Sequence, residues 1–288
     1  MPFLLLALSV ALSAGRNLLS KKISALPFGS RAFFLCQGAL FLCGGIALLL
    51  FGGIPRNGLS AETMGYAVPY GLLLILAQWF YTAALAEGST ALCSTVYSLG
   101  FILPTLSGAI LWSEPFSIHS ASGVLCAAAA VVVSGTRPQR NGKRGRSYYF
   151  VPLLIAMLSS GGLGIIQKLQ QKSDGADQKA FFLLMAFLLA AGISLLFALC
   201  IRKERGAAVR PQTLALSSGI GVCFGCCNLL NTTLAGLLPS AVLFPTLNGS
   251  VILLSTLLGA VFFKERLTRR EVAVLILGGS AIALLNFG

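Results

Sequence analysis

Long apolar runs follow one another along the whole chain, each bounded by charged or turn-forming residues. A run of about twenty apolar residues has the length that crosses a bilayer as a helix. We therefore predict an all-α, polytopic membrane protein with ten transmembrane helices. The predicted helices lie near Phe3–Ser20, Ala32–Phe51, Tyr66–Ala86, Thr90–Leu111, Ser117–Gly135, Tyr148–Gln167, Ala180–Ile201, Leu214–Leu234, Ala241–Phe263 and Val272–Phe287.

The composition supports a membrane environment. Of the 288 residues, 56% are hydrophobic and 10% are charged, and the mean hydropathy is +0.87. Because a soluble domain carries about 25% charged residues, this chain is too poor in charge to cover a surface that faces water. The first run has no basic segment before its apolar core and is followed by nine more, so we interpret it as a membrane helix rather than a signal peptide.

The net charge of +13 and the basic stretch Arg137–Arg146 raise the question of nucleic-acid binding. That stretch lies between the fifth and sixth predicted helices, where the positive-inside rule favours a cytosolic connector. Sixteen Lys and Arg residues fall on the connector's face of the predicted bundle, and four fall on the opposite face. We therefore expect an integral protein of a bacterial plasma membrane, with both termini outside and no nucleic-acid partner.

The stretch Ala84–Gly135 recurs without a gap as Ala235–Asn286, displaced by 151 positions. The polarity profiles of the two copies agree nearly throughout. Internal similarity of this kind indicates a duplicated unit. The identical pairs include Ser89 and Ser240, Thr95 and Thr246, Thr105 and Thr256, Gly108 and Gly259, and Glu114 and Glu265. Upstream, the similarity extends more weakly through Arg31-Ala-Phe-Phe-Leu with Lys179-Ala-Phe-Phe-Leu, and through Lys21 with Lys168.

Each copy of the repeat holds five predicted helices. Because five is an odd number, the second copy enters the membrane from the opposite side, and the repeats are inverted. Inverted repeats are characteristic of secondary transporters, whose substrate site lies near the bilayer midplane where the repeats meet. We predict a first repeat over residues 1–135, a basic cytosolic connector over 136–147 and a second, inverted repeat over 148–288.

Two short turns occupy equivalent places in the repeats. They read Trp112-Ser-Glu-Pro-Phe-Ser117 and Phe263-Lys-Glu-Arg-Leu-Thr268. In its two repeats of five helices and in these turns, the chain resembles the EamA-type members of the drug/metabolite transporter superfamily. Those members carry an acidic turn between the last two helices of each repeat. Ser113 and Lys264 stand where the family usually has glycine. As in the family, a helix of small and aliphatic residues follows each turn.

The resemblance covers essentially the whole chain and implies a secondary active transporter that works by alternating access, with export the expected direction. It leaves the substrate open, because the superfamily carries amino acids, sugars, nucleotide sugars, purines and cationic drugs. The expected partners are a small-molecule substrate and the lipid bilayer, and the chain is expected to be a monomer or a homodimer. Coupling to protons or to a counter-substrate is left open.

Glu114 and Glu265 are the acidic residues of the two repeat turns. Each opens the last helix of its repeat, where a carboxylate complements the positive end of the helix. Ser117 and Thr268 can cap the same helix ends. Because the inverted topology puts the two glutamates at opposite faces, we interpret them as structural repeat turns rather than as carriers of a proton.

Polar residues deep in a membrane helix are costly, so they are candidates for function by default. Under the 151-residue displacement, Tyr97 and Asn248 are equivalent, and symmetry would bring them to face each other across one cavity. The alternative for every candidate is hydrogen bonding that holds the helices together. The candidates in the third, fourth, eighth and ninth helices are Gln78, Trp79, Tyr81, Tyr97, Asn228, Asn231 and Asn248.

Four further residues are candidates for gating or binding. Pro104 and Pro245 each remove one backbone hydrogen bond, so they can hinge a helix or open a carbonyl to a ligand. Arg16 and Asn17 lie in the first helix, about one turn before Lys21. The Arg16 side chain can extend to the headgroups or turn inward and bind a carboxylate or phosphate.

No Asp or Glu lies in the core of any predicted helix. Small multidrug exporters related to the family use a glutamate in the first helix, whereas the corresponding region Ala11–Asn17 offers an arginine. We therefore expect a neutral, zwitterionic or anionic metabolite, for example an amino-acid-like one. The alternatives are an exporter of cationic drugs and, in another class, a membrane-embedded receptor or lipid-modifying protein without transport.

The eight cysteines all lie in apolar runs, where cysteine packs as a small hydrophobe. Cys223-x-x-Cys226-Cys227 has a spacing seen in metal sites, but no histidine or second cysteine pair accompanies it. No nucleophile, metal site or pair of acids is visible at membrane depth. The sequence therefore predicts no metal, no cofactor and no enzymatic activity.

Overall fold

The computed structural model of the chain describes residues 2–52, 60–113, 117–135, 147–201, 209–263 and 269–287. All regular structure in these residues is helical. The α-helices are α1 (Pro2–Ile23), α2 (Arg31–Gly52), α3 (Ala61–Glu87), α4 (Thr90–Ser98), α5 (Ile102–Trp112), α6 (Ile118–Gly135), α7 (Ser147–Lys172), α8 (Lys179–Cys200), α9 (Pro211–Leu237), α10 (Ser240–Phe263) and α11 (Arg269–Phe287), with 3₁₀ turns at Leu99–Phe101 and Ala176–Gln178.

Within the described residues, eight helical stretches are long and apolar enough to cross a membrane. They are α1, α2, α3, the stretch Thr90–Trp112 that joins α4 and α5, α7 from Phe150, α8 with its preceding turn, α9, and α10 to Gly259. The prediction of an all-helical, polytopic membrane protein is confirmed at this level. The eight do not include α6 and α11, so the count of ten membrane helices stays a prediction.

Local sequence explains where several helices begin. The Ser60 hydroxyl accepts a hydrogen bond from Thr63 N at the start of α3, and the Ser89 hydroxyl accepts one from Leu92 N at the start of α4. Such N-caps satisfy backbone donors that have no partner inside the helix. Pro211 opens α9, where its missing N–H costs nothing.

The outer surface of the bundle is apolar. Large side chains there are mostly exposed, including Phe3 at 80% and Ile110 at 78% of their maximal exposure. Contiguous apolar surface is rare on monomeric soluble proteins, whereas it is the expected surface toward lipid acyl chains. The exposed residues therefore agree with the predicted membrane environment.

The interior is built from helices of both predicted repeats. Helix α2 packs on α8 and α9, and α8 packs in turn on α3. Helix α1 packs on α9 and α10, α7 packs on α3, α4 and α5, and α6 packs on α11. The centre of the core contains fully buried aromatic side chains, among them Phe41, Tyr70, Phe182 and Phe187.

Glycines bring α2 and α9 into backbone contact. A Cβ atom added at Gly221 would lie 2.0 Å from Leu40 O, and one added at Gly225 would lie 2.5 Å from Gly44 O. No real side chain fits at such distances. Small residues at these positions therefore set the separation of the two helices, as is usual in membrane bundles.

The fourth predicted membrane helix is interrupted at its centre. A 3₁₀ turn over Leu99–Phe101 separates α4 from α5, and Pro104 is the third residue of α5. Proline cannot donate to the carbonyl four residues earlier, which is that of Gly100. A Cβ added at Gly161 of α7 would lie 2.5 Å from Gly100 O. The carbonyl released by Pro104 therefore lies against the backbone of α7.

Candidate binding cavity

A cavity of about 90 Å³ lies among α1, the interrupted segment α4–α5, α7, α9 and α10. Its apolar wall includes Phe101, Leu163, Phe224, Phe244 and Val251. The polar side chains that line it are Ser13, Arg16, Asn17, Tyr97, Ser98, Ser160, Gln167, Asn228, Asn231 and Asn248. An apolar pocket with a few converging polar groups is the usual form of a small-molecule site.

Arg16 is turned into this cavity and is only 5% exposed. Its guanidinium carbon lies 4.5 Å from the ring centre of Phe224, 5.3 Å from that of Tyr97 and 5.7 Å from that of Tyr81. Rings at these distances attract the cation through their electron-rich faces. Of the two orientations left open by the sequence, the structure has the inward one.

The hydrogen bonds of Arg16 leave part of its guanidinium unused. Nη2 donates to Asn17 Oδ1 at 3.0 Å, while Asn17 Nδ2 donates to Ser255 Oγ at 3.2 Å. The buried Nε of Arg16 has no hydrogen-bond partner among the described residues. A buried donor without a partner is costly, so a ligand that reached this atom would offset that cost.

Gln167 and Asn228 form another part of the wall and are hydrogen-bonded to Tyr70, which lies outside the lining. The Tyr70 hydroxyl donates to Asn228 Oδ1, and Gln167 Nε2 donates to Tyr70 Oη at 2.8 Å and to Asn228 Oδ1 at 3.3 Å. Asn228 Nδ2 donates to Phe224 O at 2.8 Å. The group fixes the orientation of the Asn228 and Gln167 amides beside the cavity.

Tyr97 and Asn248 line the same cavity, as the repeat symmetry predicts, and Pro104 lines it with them. Asn248 Nδ2 donates to Phe244 O at 2.8 Å, one turn back in α10. Asn231 accepts a hydrogen bond from the Ser9 hydroxyl. The structure thus brings these predicted site residues together, and their role in binding stays a prediction.

Other predicted residues lie away from the cavity wall. Gln78 Nε2 donates to Thr82 Oγ1 at 3.3 Å within α3. Trp79 packs edge-on against Phe34 and Phe197, with ring centres 4.8 and 5.6 Å away. Gln78 and Trp79 therefore serve packing within and around α3 in this conformation.

Tyr81 and Pro245 lie close to the cavity without lining it. The ring centre of Tyr81 lies 4.6 Å from that of Tyr97 and 5.7 Å from the guanidinium carbon of Arg16. Tyr81 therefore packs against two residues of the cavity wall. Pro245 is buried in α10, which continues through it without a break, in contrast to the interruption near Pro104. Glu114 and Glu265 lie outside the described residues, as does most of the predicted connector.

Sequence reasoning missed Gln167 and its partner Tyr70, as well as the cavity serines Ser13, Ser98 and Ser160. Gln167 was predicted as the end of the sixth helix, where a polar residue is unremarkable, but α7 continues to Lys172 and buries Gln167 beside the cavity. Tyr70 is fully buried in α3 and bonds to Gln167. Their polarity at membrane depth is the signal that would have found them.

Comparison with known proteins identifies the fold alone. No family model matches the chain, and no curated protein matches it. Solved structures do match. One crystal structure is similar with a TM-score of 0.66 and 21% sequence identity, over 98% of this chain and 96% of the other. The similarity therefore extends over nearly the entire length of both chains.

Proposed function

We propose that this protein is a secondary active transporter that moves a compact organic metabolite across the membrane by alternating access. The observation that carries the proposal is the polar cavity at the junction of the two five-helix halves. Its wall takes α1, α4 and α5 from the first half, and α7, α9 and α10 from the second. A site between repeats is where secondary transporters bind their substrates.

The matched lengths of equivalent helices support an inverted repeat. Helices α2 and α8 both have 22 residues, and α3 and α9 both have 27. The packing between halves is also reciprocal, because α1 lies on α9 and α10 while α7 lies on α3, α4 and α5. Two halves related in this way can exchange conformations, which gives two states of similar energy that open to opposite sides.

A pair of lysines repeats the same contact in each half. Lys21 Nζ donates to the carbonyl of Gly88, which ends α3, and Lys168 Nζ donates to the carbonyl of Leu238, which ends α9, at 2.9 Å. Cations at helix C-termini satisfy carbonyls that have no partner in the helix and complement its dipole. The repeated cap supports the alignment of Lys21 with Lys168.

The cavity favours a small substrate without a net positive charge. Its volume of about 90 Å³ is below the range of about 300–1,000 Å³ that is common for drug-sized ligands. Its described wall contains an arginine and no carboxylate. A cationic drug would bring a second positive charge beside Arg16, so we place the multidrug alternative second.

The charge distribution supports an orientation with the basic connector in the cytosol and both termini outside. Sixteen cationic residues lie on the connector's face of the predicted topology and four on the other, and such a bias sets the orientation of membrane proteins. Export remains the proposed direction by resemblance to the EamA-type family.

The site is tested by ligand-induced stabilisation of the purified protein across a panel of metabolites, because a compound that binds the folded state raises its melting temperature. We expect Tyr97→Ala and Asn248→Ala each to weaken binding of the best compound about tenfold, since each removes about 1.4 kcal/mol of contacts. Gln78→Ala, outside the cavity, is the matched control. Unchanged affinity in both cavity variants would contradict the site.

A further inference from the structure

The cavity holds one buried formal charge that the described structure leaves without a counter-ion. Arg16 is 5% exposed, and its neighbours are Asn17 and the rings of Tyr81, Tyr97 and Phe224. Rings and an amide offset part of the cost of burying a guanidinium, but they do not neutralise it. No described residue of the cavity wall is acidic. The missing negative charge is therefore expected from the ligand.

The remaining guanidinium donors suit an oxyanion such as a carboxylate. Asn17 accepts from Nη2, and Nε has no partner among the described residues. Arginine presents its N–H groups in a planar fork that matches the two oxygens of a carboxylate. Phosphate fits the same fork, but its dianionic form brings one more negative charge than Arg16 can neutralise.

We infer that the cavity binds a compact monocarboxylate of net charge −1, whose carboxylate pairs with Arg16. One cation neutralises one anion. A dicarboxylate leaves a second negative charge buried, and a zwitterion adds an ammonium group for which the described wall has no carboxylate. Each uncompensated charge is costly at such burial. That this ligand is also the transported substrate rests on the proposed function.

The amides across the cavity indicate what else the ligand carries. Both hydrogen bonds of Gln167 use Nε2, and that of Asn248 uses Nδ2. The amide oxygen of each side chain is therefore left as an acceptor beside the cavity. A neutral hydroxyl group can donate a hydrogen bond to such an acceptor. We therefore expect a hydroxy acid to bind better than an unsubstituted fatty acid.

Calorimetric titration of the purified full chain tests whether the cavity prefers a ligand with a single net negative charge. The compounds are glycolate, L-lactate, pyruvate, L-alanine, malonate and inorganic phosphate. L-Lactate and L-alanine differ only in a hydroxyl against an ammonium group, and malonate adds a second carboxylate. We expect at least one monocarboxylate to bind at least about tenfold more tightly than L-alanine, malonate and phosphate, which is the effect of one charge-assisted contact. Equal or tighter binding of L-alanine, malonate or phosphate, or no binding of any monocarboxylate, overturns the inference.

Asn17→Asp is the sharpest variant, because it changes charge and almost nothing else. The new carboxylate stands 3.0 Å from Arg16 Nη2 in place of an amide oxygen, so the protein supplies its own counter-ion. We expect monocarboxylate binding to fall about tenfold to a hundredfold while the melting temperature is unchanged or raised. Arg16→Gln should lose binding as well, and Arg210→Gln, at the exposed start of α9, should not. Unaltered affinity in Asn17→Asp overturns the inference.

A flux assay separates this inference from the proposed function. If a monocarboxylate binds more tightly than L-alanine, malonate and phosphate, as expected, but no solute enters reconstituted vesicles, the binding site stands and the transporter proposal fails. If another solute crosses the vesicles and monocarboxylates neither bind nor compete, the transporter proposal stands and the inference fails.

Discussion

Ser113 ends α5 with a φ of +53°, in the left-handed region. It is the one described non-glycine residue with a positive φ. This conformation brings Cβ close to the backbone and costs about 1–2 kcal/mol for most side chains, whereas glycine adopts it freely. This strain is a physical reason why the EamA-type family, which the chain resembles, usually has glycine at this turn.

We expect Ser113→Gly to stabilise the protein by about 1 kcal/mol, because it relieves the left-handed strain. Thermal unfolding of the purified protein in detergent measures the effect. Ser218→Gly is the matched control, since Ser218 lies in the interior of α9, where glycine costs about 0.5–1 kcal/mol. A Ser113→Gly variant that unfolds at a lower temperature than the wild type would contradict the account of this turn.

At the same scale, polarity at membrane depth indicated six of the ten polar side chains that line the cavity. Arg16, Asn17 and the three predicted asparagines share one cavity, because polar groups in an apolar helix avoid lipid and turn inward. Gln78 and Trp79 met the same criterion but point elsewhere. When a helix is apolar on nearly all sides, its sequence indicates how deep in the membrane a residue lies. It does not indicate which face of the helix turns toward the cavity.

At the scale of elements, charge clusters and turn residues located the helices well. Helix α2 begins and ends within one residue of its predicted bounds, and α3 and α4 are separated by the predicted short turn at Gly88. The interruption at Leu99–Phe101 was not predicted, although Pro104 marked its neighbourhood. The interrupted segment lies against Gly161 of α7, and a pairing between distant segments has no local signal.

The contact between α2 and α9 gives an element-scale prediction. A Cβ at Gly221 would meet Leu40 O at 2.0 Å, so Gly221→Ala must push the helices apart. We expect a loss of about 1–3 kcal/mol, the usual cost of overpacking, measured as a lower unfolding temperature and a lower folded yield.

Gly219→Ala is the control on the same helix. Nothing lies within 4 Å of a Cβ added at Gly219, and replacing a helical glycine by alanine gains about 0.5–1 kcal/mol. Equal effects of the two substitutions would contradict the close approach of α2 and α9.

At the scale of the whole molecule, the proposed inverted repeat would place a substrate site where its two halves meet. Helices from both predicted halves contribute polar side chains to one cavity. The duplication in the sequence predicts a site at such a junction, and the repeat layout itself stays a prediction. The sequence could not give the charge balance of the site, because that depends on which side chains converge and which atoms they leave unpaired.

We propose that the cavity carries a solute across the membrane. Transport is measured directly as uptake of a labelled compound into vesicles that contain the purified protein. The vesicles are preloaded with the same compound unlabelled, either the monocarboxylate or another compound that binds in the titrations. We expect uptake that saturates, exceeds that of protein-free vesicles and falls at least about tenfold in Asn17→Asp, with Arg210→Gln at the wild-type rate. Binding of the compound without any uptake above protein-free vesicles would contradict the claim.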